Sequence, residues 1–257
     1  MSDKGMAFML AGLILGTFIA LATGSVLVVS RWFPRLQMDP DSSDLGQMFA
    51  GAIGTMFALV FALVTIAVWG NYDRVSNGVG DEANCIHNIY RSLESYPPEL
   101  RDPVQGLMRT YLKQVVQVEW PMMKEGREDP EARRLITEVN ARISAYRPVA
   151  LGELPLHQET LTLVSKYRGL RHDRIRASVA YLDACMWISL MMGSLILLGF
   201  CSLWRRASLK DHLLMSTALG ASLGVVFYLM LAYNHPFQRP GAVEPAPLVD
   251  LLEHHWT

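Results

Sequence analysis

An all-α membrane protein, with four membrane-crossing helices and a helical domain inserted between spans two and three, is the fold class this sequence predicts. Three observations carry it. Residues 6–30, 46–70, 184–204 and 213–233 form runs of 21 to 25 residues without Asp, Glu, Lys, Arg or His. At ~1.5 Å of rise per residue, about 20 apolar residues cross a hydrocarbon layer ~30 Å thick. The runs stand two and two around a polar middle, residues 71–183, which carries 16 acidic and 16 basic residues. That middle shows helical periodicity and no strand-like alternation.

The first run follows Lys4 and contains Ala20-Leu21-Ala22, as a cleaved leader would. Its hydrophobicity continues through Ser25–Val29 into Ser30-Arg31-Trp32-Phe33-Pro34-Arg35, an interfacial anchor. A retained span is therefore expected. The second run passes into Asn71-Tyr72-Asp73-Arg74-Val75 without a helix breaker. Val75, Val79, Ile86, Ile89, Tyr90 and Leu93 then recur at helical spacing, so one helix is predicted over 46–96, stopped by Pro97-Pro98.

A second soluble helix is expected over 99–119, through Leu107, Tyr111, Leu112 and Val115, ending near Trp120-Pro121. Gly126 and Pro130 mark the next turn. Leu135, Ile136, Val139, Ile143 and Tyr146 belong to a third helix before Pro148. After a turn at Gly152–Pro155, a fourth runs through Leu161, Val164, Tyr167, Ile175, Val179 and Leu182 straight into the third span. The domain plan is then 1–70 for spans one and two, 71–183 for the soluble part, 184–233 for spans three and four, and 234–257 for a tail.

Composition removes several classes. The middle block has no net charge, so it lacks the basic stripe of a nucleic-acid-binding protein. Cys85, Cys185 and Cys201 form no CxxC or Cys/His cluster, so neither a metal, a cofactor nor a disulfide framework is expected. No GxSxG, Walker loop, HExxH or GxGxxG occurs, and no catalytic constellation can be assembled. Glu119, Glu125, Glu128 and Asp129 stand near a turn and read as a solvated surface, while His87, His172 and His212 are isolated. The chain does not read as an enzyme.

Juxtamembrane charge orients the spans. Arg31, Arg35, Arg205, Arg206 and Lys210 are five positives on one side. Lys4, Arg74, Lys166, Arg168, Arg171, Arg174, Arg176 and Arg239 are eight on the other, which places the polar domain and both termini in the cytoplasm.

Ionisable groups within spans mark ion relays, and these spans have none, which argues against a proton-coupled transporter. Passive conduction, scaffolding and sensing remain. The second span carries Ala50, Gly54, Ala58 and Ala62 as a small-residue stripe, and Ile53, Phe57, Phe61 and Val64 as a bulky one. Small stripes let helices approach closely. Copies of this helix around an axis would form an apolar neck able to gate by dewetting, with Phe57 and Phe61 presenting electropositive ring edges to an anion. Ordinary helix packing explains the same periodicity.

Asn71-Tyr72-Asp73-Arg74 after the second span, His87-Asn88-Ile89-Tyr90-Arg91 beyond it, and Asn234-His235-Pro236-Phe237 after the fourth resemble a bestrophin signature. The match is closer to a bacterial bestrophin-like group. Its pattern is similar to Val68-Trp69-Gly70-Asn71-Tyr72, Glu82-Ala83, Ile89-Tyr90-Arg91, Glu119-Trp120-Pro121 and a proline-rich tail after Phe237. The resemblance implies a homo-oligomeric ring of five subunits in the bacterial inner membrane, conducting small inorganic anions such as chloride. It places neck positions near Ala58, Ala62 and Ile66, about 100° around the helix from Phe57 and Phe61; both sets stay open here. Asn71, Tyr72, Arg74, Arg91, Asn234 and Phe237 are the implied exit and vestibule positions, with Asn71 and Asn234 equally suited to capping helix ends. The acidic calcium-binding run of animal bestrophins is missing, since Gln238-Arg239-Pro240 follows Phe237. An ion-driven, stator-like subunit and a non-conducting scaffold or sensor are the rival readings.

Overall fold

The computed structural model describes residues 3–37, 44–179, 182–204, 208–238 and 240–255. Arg205, Arg206 and Arg239, counted above for orientation, lie outside the described residues, as do the side chains of Lys4 and Ala50. The described residues are helical with no β-strand, in the order α1 (Asp3–Trp32), α2 (Asp44–Ser92), α3 (Pro98–Gln114), α4 (Trp120–Met123), α5 (Pro130–Ala145), α6 (Glu153–Val179), α7 (Ala184–Ser202), α8 (Leu209–Asn234) and α9 (Ala246–Asp250). Four of them, α1, α2, α7 and α8, are long and apolar enough to cross a membrane. The chain divides into two compact units, one of residues 1–71 and 181–234, the other of residues 72–180 and 235–257.

In the first unit, α1 packs along α8 at a closeness set by glycine. A Cβ on Gly220 would lie 2.7 Å from the Phe18 carbonyl oxygen and 2.8 Å from the Ala22 methyl. One on Gly224 would lie 3.0 Å from the Leu15 Cα. Gly220 and Gly224 are a GxxxG pair, which lets helix backbones meet where lipid provides no hydrophobic drive between helices. The small-residue stripe expected to pack lies on α2, where Ala58 and Ala62 are exposed. Phe18, Ala22, Phe61, Leu190, Leu198, Leu223, Phe227 and Met230 form the core of this unit.

The core of the second unit gathers predicted periodic positions: Val79, Ile86 and Ile89 of α2 with Leu93 just beyond it, Tyr111 and Leu112 of α3, Leu135, Val139 and Ile143 of α5, and Val164 and Tyr167 of α6; in α3 Met108 is buried and the expected Leu107 only partly so. Helix α2 ends in a 3₁₀ turn at Leu93–Ser95, and Pro98 begins α3, where a missing N–H costs nothing. Asp129 caps α5, accepting from the N–H groups of Glu131 and Ala132. Gly126, expected in a turn, takes φ 69°, a left-handed conformation open to glycine.

Two expectations fail. Helix continues past Trp120-Pro121 to Met123, through a π turn at Val115–Glu119. Pro121 cannot donate to the preceding turn, and its ring crowds it; the widened turn, in which the Trp120 N–H reaches the Val115 carbonyl, makes room. The fourth soluble helix also does not run into the third span. Helix α6 ends at Val179 and α7 begins at Ala184, with Asp183 as N-cap accepting from the Cys185 N–H at 3.1 Å. An aspartate one residue before an apolar run is a start signal that periodicity alone passes over.

Candidate functional site

Helix α2 carries most of the candidate residues, and its two faces differ sharply. Phe57 and Phe61 turn towards the other helices of the first unit, stacked at 5.4 Å between ring centroids. Phe61 meets Phe227 of α8 at 5.2 Å, and Phe227 stacks on Phe18 of α1 at 4.6 Å. A side chain on Gly193 of α7 would overlap the Phe57 ring, so that glycine makes room for it. Phe61 is 7% exposed and Val68, two turns on, is equally buried.

The other face is bare. Ala58 and Ala62 are exposed, and Ile66 keeps 66% of its surface. Met56, Leu59 and Leu63 beside them are 72%, 62% and 59% exposed. No polar atom interrupts this strip from residue 56 to 63. The two candidate sets thus point apart: one joins a cluster of aromatic rings inside the first unit, the other is left exposed. Trp69 meets Tyr233 edge to face at 4.9 Å, and both line a small apolar cavity of about 240 Å³ with Met230.

The exit candidates divide similarly. Asn71 is half-buried, and Tyr72 packs at the margin of the second unit's core. Arg74 and Arg91 are exposed, and no carboxylate pairs with either among the described residues. Asn234 is 6% exposed, and its side-chain oxygen accepts the Leu182 N–H at 2.8 Å. That donor precedes the start of α7, whose N-cap is Asp183. Phe237 is 2% exposed and set edge-on to Trp120 at 5.5 Å, a core contact of the second unit and not a lining position.

The second unit also holds a charge network, two of whose acids, Glu119 and Glu128, were expected at a solvated surface. Glu119 is fully buried, and Glu82 is 1% exposed. Arg174 Nε donates to Glu82 Oε2 at 2.6 Å, and its Nη2 reaches Glu82 at 3.1 Å and Glu119 at 2.9 Å. Arg171 pairs with Glu119 and, at 3.0 Å, with Glu128. The Arg174 guanidinium lies 5.2 Å from the Trp120 ring centroid. Burial works against its charge, but Glu82 and the neighbours behind it hold its pKa above the ordinary arginine value. Sequence carried a signal for this network. Glu82 falls in the row Val75, Val79, Ile86, Ile89, and Glu119 in the row Tyr111, Leu112, Val115, so each acid occupies an apolar-face position. A buried charge requires a paired partner, and α6 supplies two arginines three residues apart.

Among the described residues no group of His, Cys, Asp and Glu is arranged to hold a metal ion. The Bestrophin-like domain model matches residues 16–248. No curated protein sequence matches the chain. Among solved structures, a point variant of a bacterial bestrophin homologue from Klebsiella pneumoniae aligns with TM-score 0.67 and 10% identity, covering 96% of this chain and 98% of that one. The same homologue determined by zinc phasing gives 0.64 and 12%, covering 95% and 96%. A variant described only as a membrane protein gives 0.66 and 12%, covering 95% and 96%.

Proposed function

The chain belongs to the bestrophin-like family, and from that premise we propose that it is one subunit of a homo-oligomeric ring of five that conducts small anions across the bacterial inner membrane, with its soluble part and both termini in the cytoplasm. The observation that carries this reading is the bare strip on α2. Apolar side chains exposed in a contiguous patch mark an interaction surface, and here that surface lies opposite an aromatic cluster already satisfied inside the subunit.

In the ring, Ala58, Ala62 and Ile66 face the axis. The alanines permit close approach of neighbouring copies, and Ile66 is the bulkiest of the three, hence the narrowest point. A constriction without hydrogen-bonding groups passes water poorly and gates by dewetting. Arg74 and Arg91, whose charges no carboxylate neutralises among the described residues, would raise the local anion concentration beyond that neck. Phe57 and Phe61 act indirectly, by holding α2 against α7 and α8.

Reconstitution into liposomes, with chloride flux compared with potassium flux, tests the reading. Wild-type protein is expected to pass chloride in preference, and Ile66→Ala to raise the flux. Silent vesicles containing correctly inserted oligomer, or a subunit that runs as a monomer, would overturn it.

A further inference from the structure

We propose that a cleft between α5 and α6 binds a ligand bearing two phosphate groups, a role separate from conduction. The cleft has a volume of about 650 Å³ and is lined by Thr137 of α5 and by Ser165, Arg168, Gly169, His172 and Arg176 of α6. Small-molecule sites fall in the range of roughly 300–1,000 Å³. Glu128, Arg133 and Arg171 close one side.

Charge bookkeeping across the cleft leaves a surplus. Glu82, Glu119 and Glu128 balance Arg133, Arg171 and Arg174 through the ion pairs that join them. Arg168 and Arg176 remain exposed, and no carboxylate pairs with either among the described residues. On the facing helix, arginines of the same exposure are neutralised: Arg134 pairs with Glu131 and Glu138, and Arg142 with Glu138. Lys166 and Asp173, the other charged residues on this exposed stretch of α6, do not line the cleft. Arg168, His172 and Arg176 follow each other at i+4 spacing, one row on one face.

One further feature points to a ligand. Arg171 is 8% exposed and lines the cleft, yet its Nε finds no acceptor among the described residues. At ~1.5 Å per residue, Arg168 and Arg176 are ~12 Å apart along the axis, within reach of two phosphates by their long side chains. Each guanidinium can take one phosphate in a bidentate pair, while the hydroxyls of Ser165 and Thr137 supply neutral donors. A free diphosphate and a diphosphate lipid headgroup share this chemistry.

The full-length protein in zwitterionic detergent, titrated calorimetrically with inorganic pyrophosphate, tests the soluble source. Phosphatidylcholine nanodiscs with and without cardiolipin, with retained lipid counted by mass spectrometry, test the other. The variant Arg168→Gln/Arg176→Gln is expected to weaken pyrophosphate binding, or cardiolipin retention, at least tenfold. Both side chains are exposed, so its melting temperature should match that of wild type, and either single variant should show a partial loss. The control Arg134→Gln/Arg142→Gln removes as much positive charge from α5 and should leave binding unchanged. Equal behaviour of wild type and the α6 double variant with both probes, or equal loss in the control, would overturn the site. None of these readouts depends on ion flux.

Discussion

The Leu182 N–H donates to the side-chain oxygen of Asn234 at 2.8 Å, tying the residue pair before α7 to the last residue of α8. The bond answers two needs at once. It satisfies a backbone donor ahead of a helix start, and it fixes where α8 ends relative to α7 in the same unit. An unpaired backbone donor in a half-buried place costs about 1–3 kcal/mol. Asn234→Ala is therefore expected to lower stability by about 1–2 kcal/mol, and Asn234→Asp, which keeps an acceptor, to lose less. Thermal unfolding of the purified protein reads the difference.

Arg174 and Glu82 should be strongly coupled. Removing one member of a buried pair strands the other charge, at a cost of about 3–5 kcal/mol. Glu82→Met and Arg174→Met are each expected to be severely destabilising, and the double substitution less so than the sum. A double-mutant cycle by denaturant unfolding measures this; strict additivity would show that the pair makes no net contribution.

Glu128 predicts an acid limb. The Arg133 guanidinium, and then that of Arg171, hold its carboxyl at about 2 against an ordinary 4.5. A folded-state value below the unfolded one gives stability that is present above pH 4.5 and lost as the pH falls from 4.5 towards 2. Glu128→Gln should flatten that part of the loss in a plot of melting temperature against pH.

Gly220 sets the approach of α1 to α8. Its substitution by Leu must push the Phe18 backbone aside, since a Cβ alone would come within 2.7 Å of a carbonyl oxygen. Overpacking of this kind costs about 1–3 kcal/mol, more where backbone must move. Ala221→Leu, one position round the helix, serves as the comparison. A Gly220→Leu protein as stable as wild type would mean that the helices do not meet at this glycine.

Phenylalanine variants on α2 should act through folding. Phe61 is buried among Phe57, Phe227 and Phe18, so Phe61→Ala is expected to cost about 3–5 kcal/mol. Ile66→Ala, on the exposed strip, should leave the subunit's melting unchanged and alter flux alone. Reversed results would assign the aromatic face to the axis.

Much of the fold was legible along the chain. The four apolar runs needed only length and the absence of charge, and Val79, Ile86 and Ile89 lie in the core face their spacing proposed. Helix ends were harder. Asp183 begins a new helix where hydrophobic periodicity suggested continuation, because one capping side chain outweighs a periodicity that both helices share. The small-residue rule was applied to Ala58 and Ala62, but the contact formed at Gly220 and Gly224; a stripe gives a helix the ability to pack, and only its partner decides the use. On the candidate site, the Asn234 side chain accepts from a backbone donor 52 positions away, a partner that no local pattern names.

Sequence by itself determined that this chain lives in a membrane and that its soluble part is helical, because transfer of an apolar run into lipid and the 3.6-residue repeat are local properties of consecutive residues. Tertiary structure alone decided which face of α2 is covered and why Glu82 and Glu119 can be buried. Phe227 and Arg174, which settle those two questions, stand far along the chain from the residues they satisfy. Contacts between distant segments depend on how whole helices pack, and no local pattern encodes that choice.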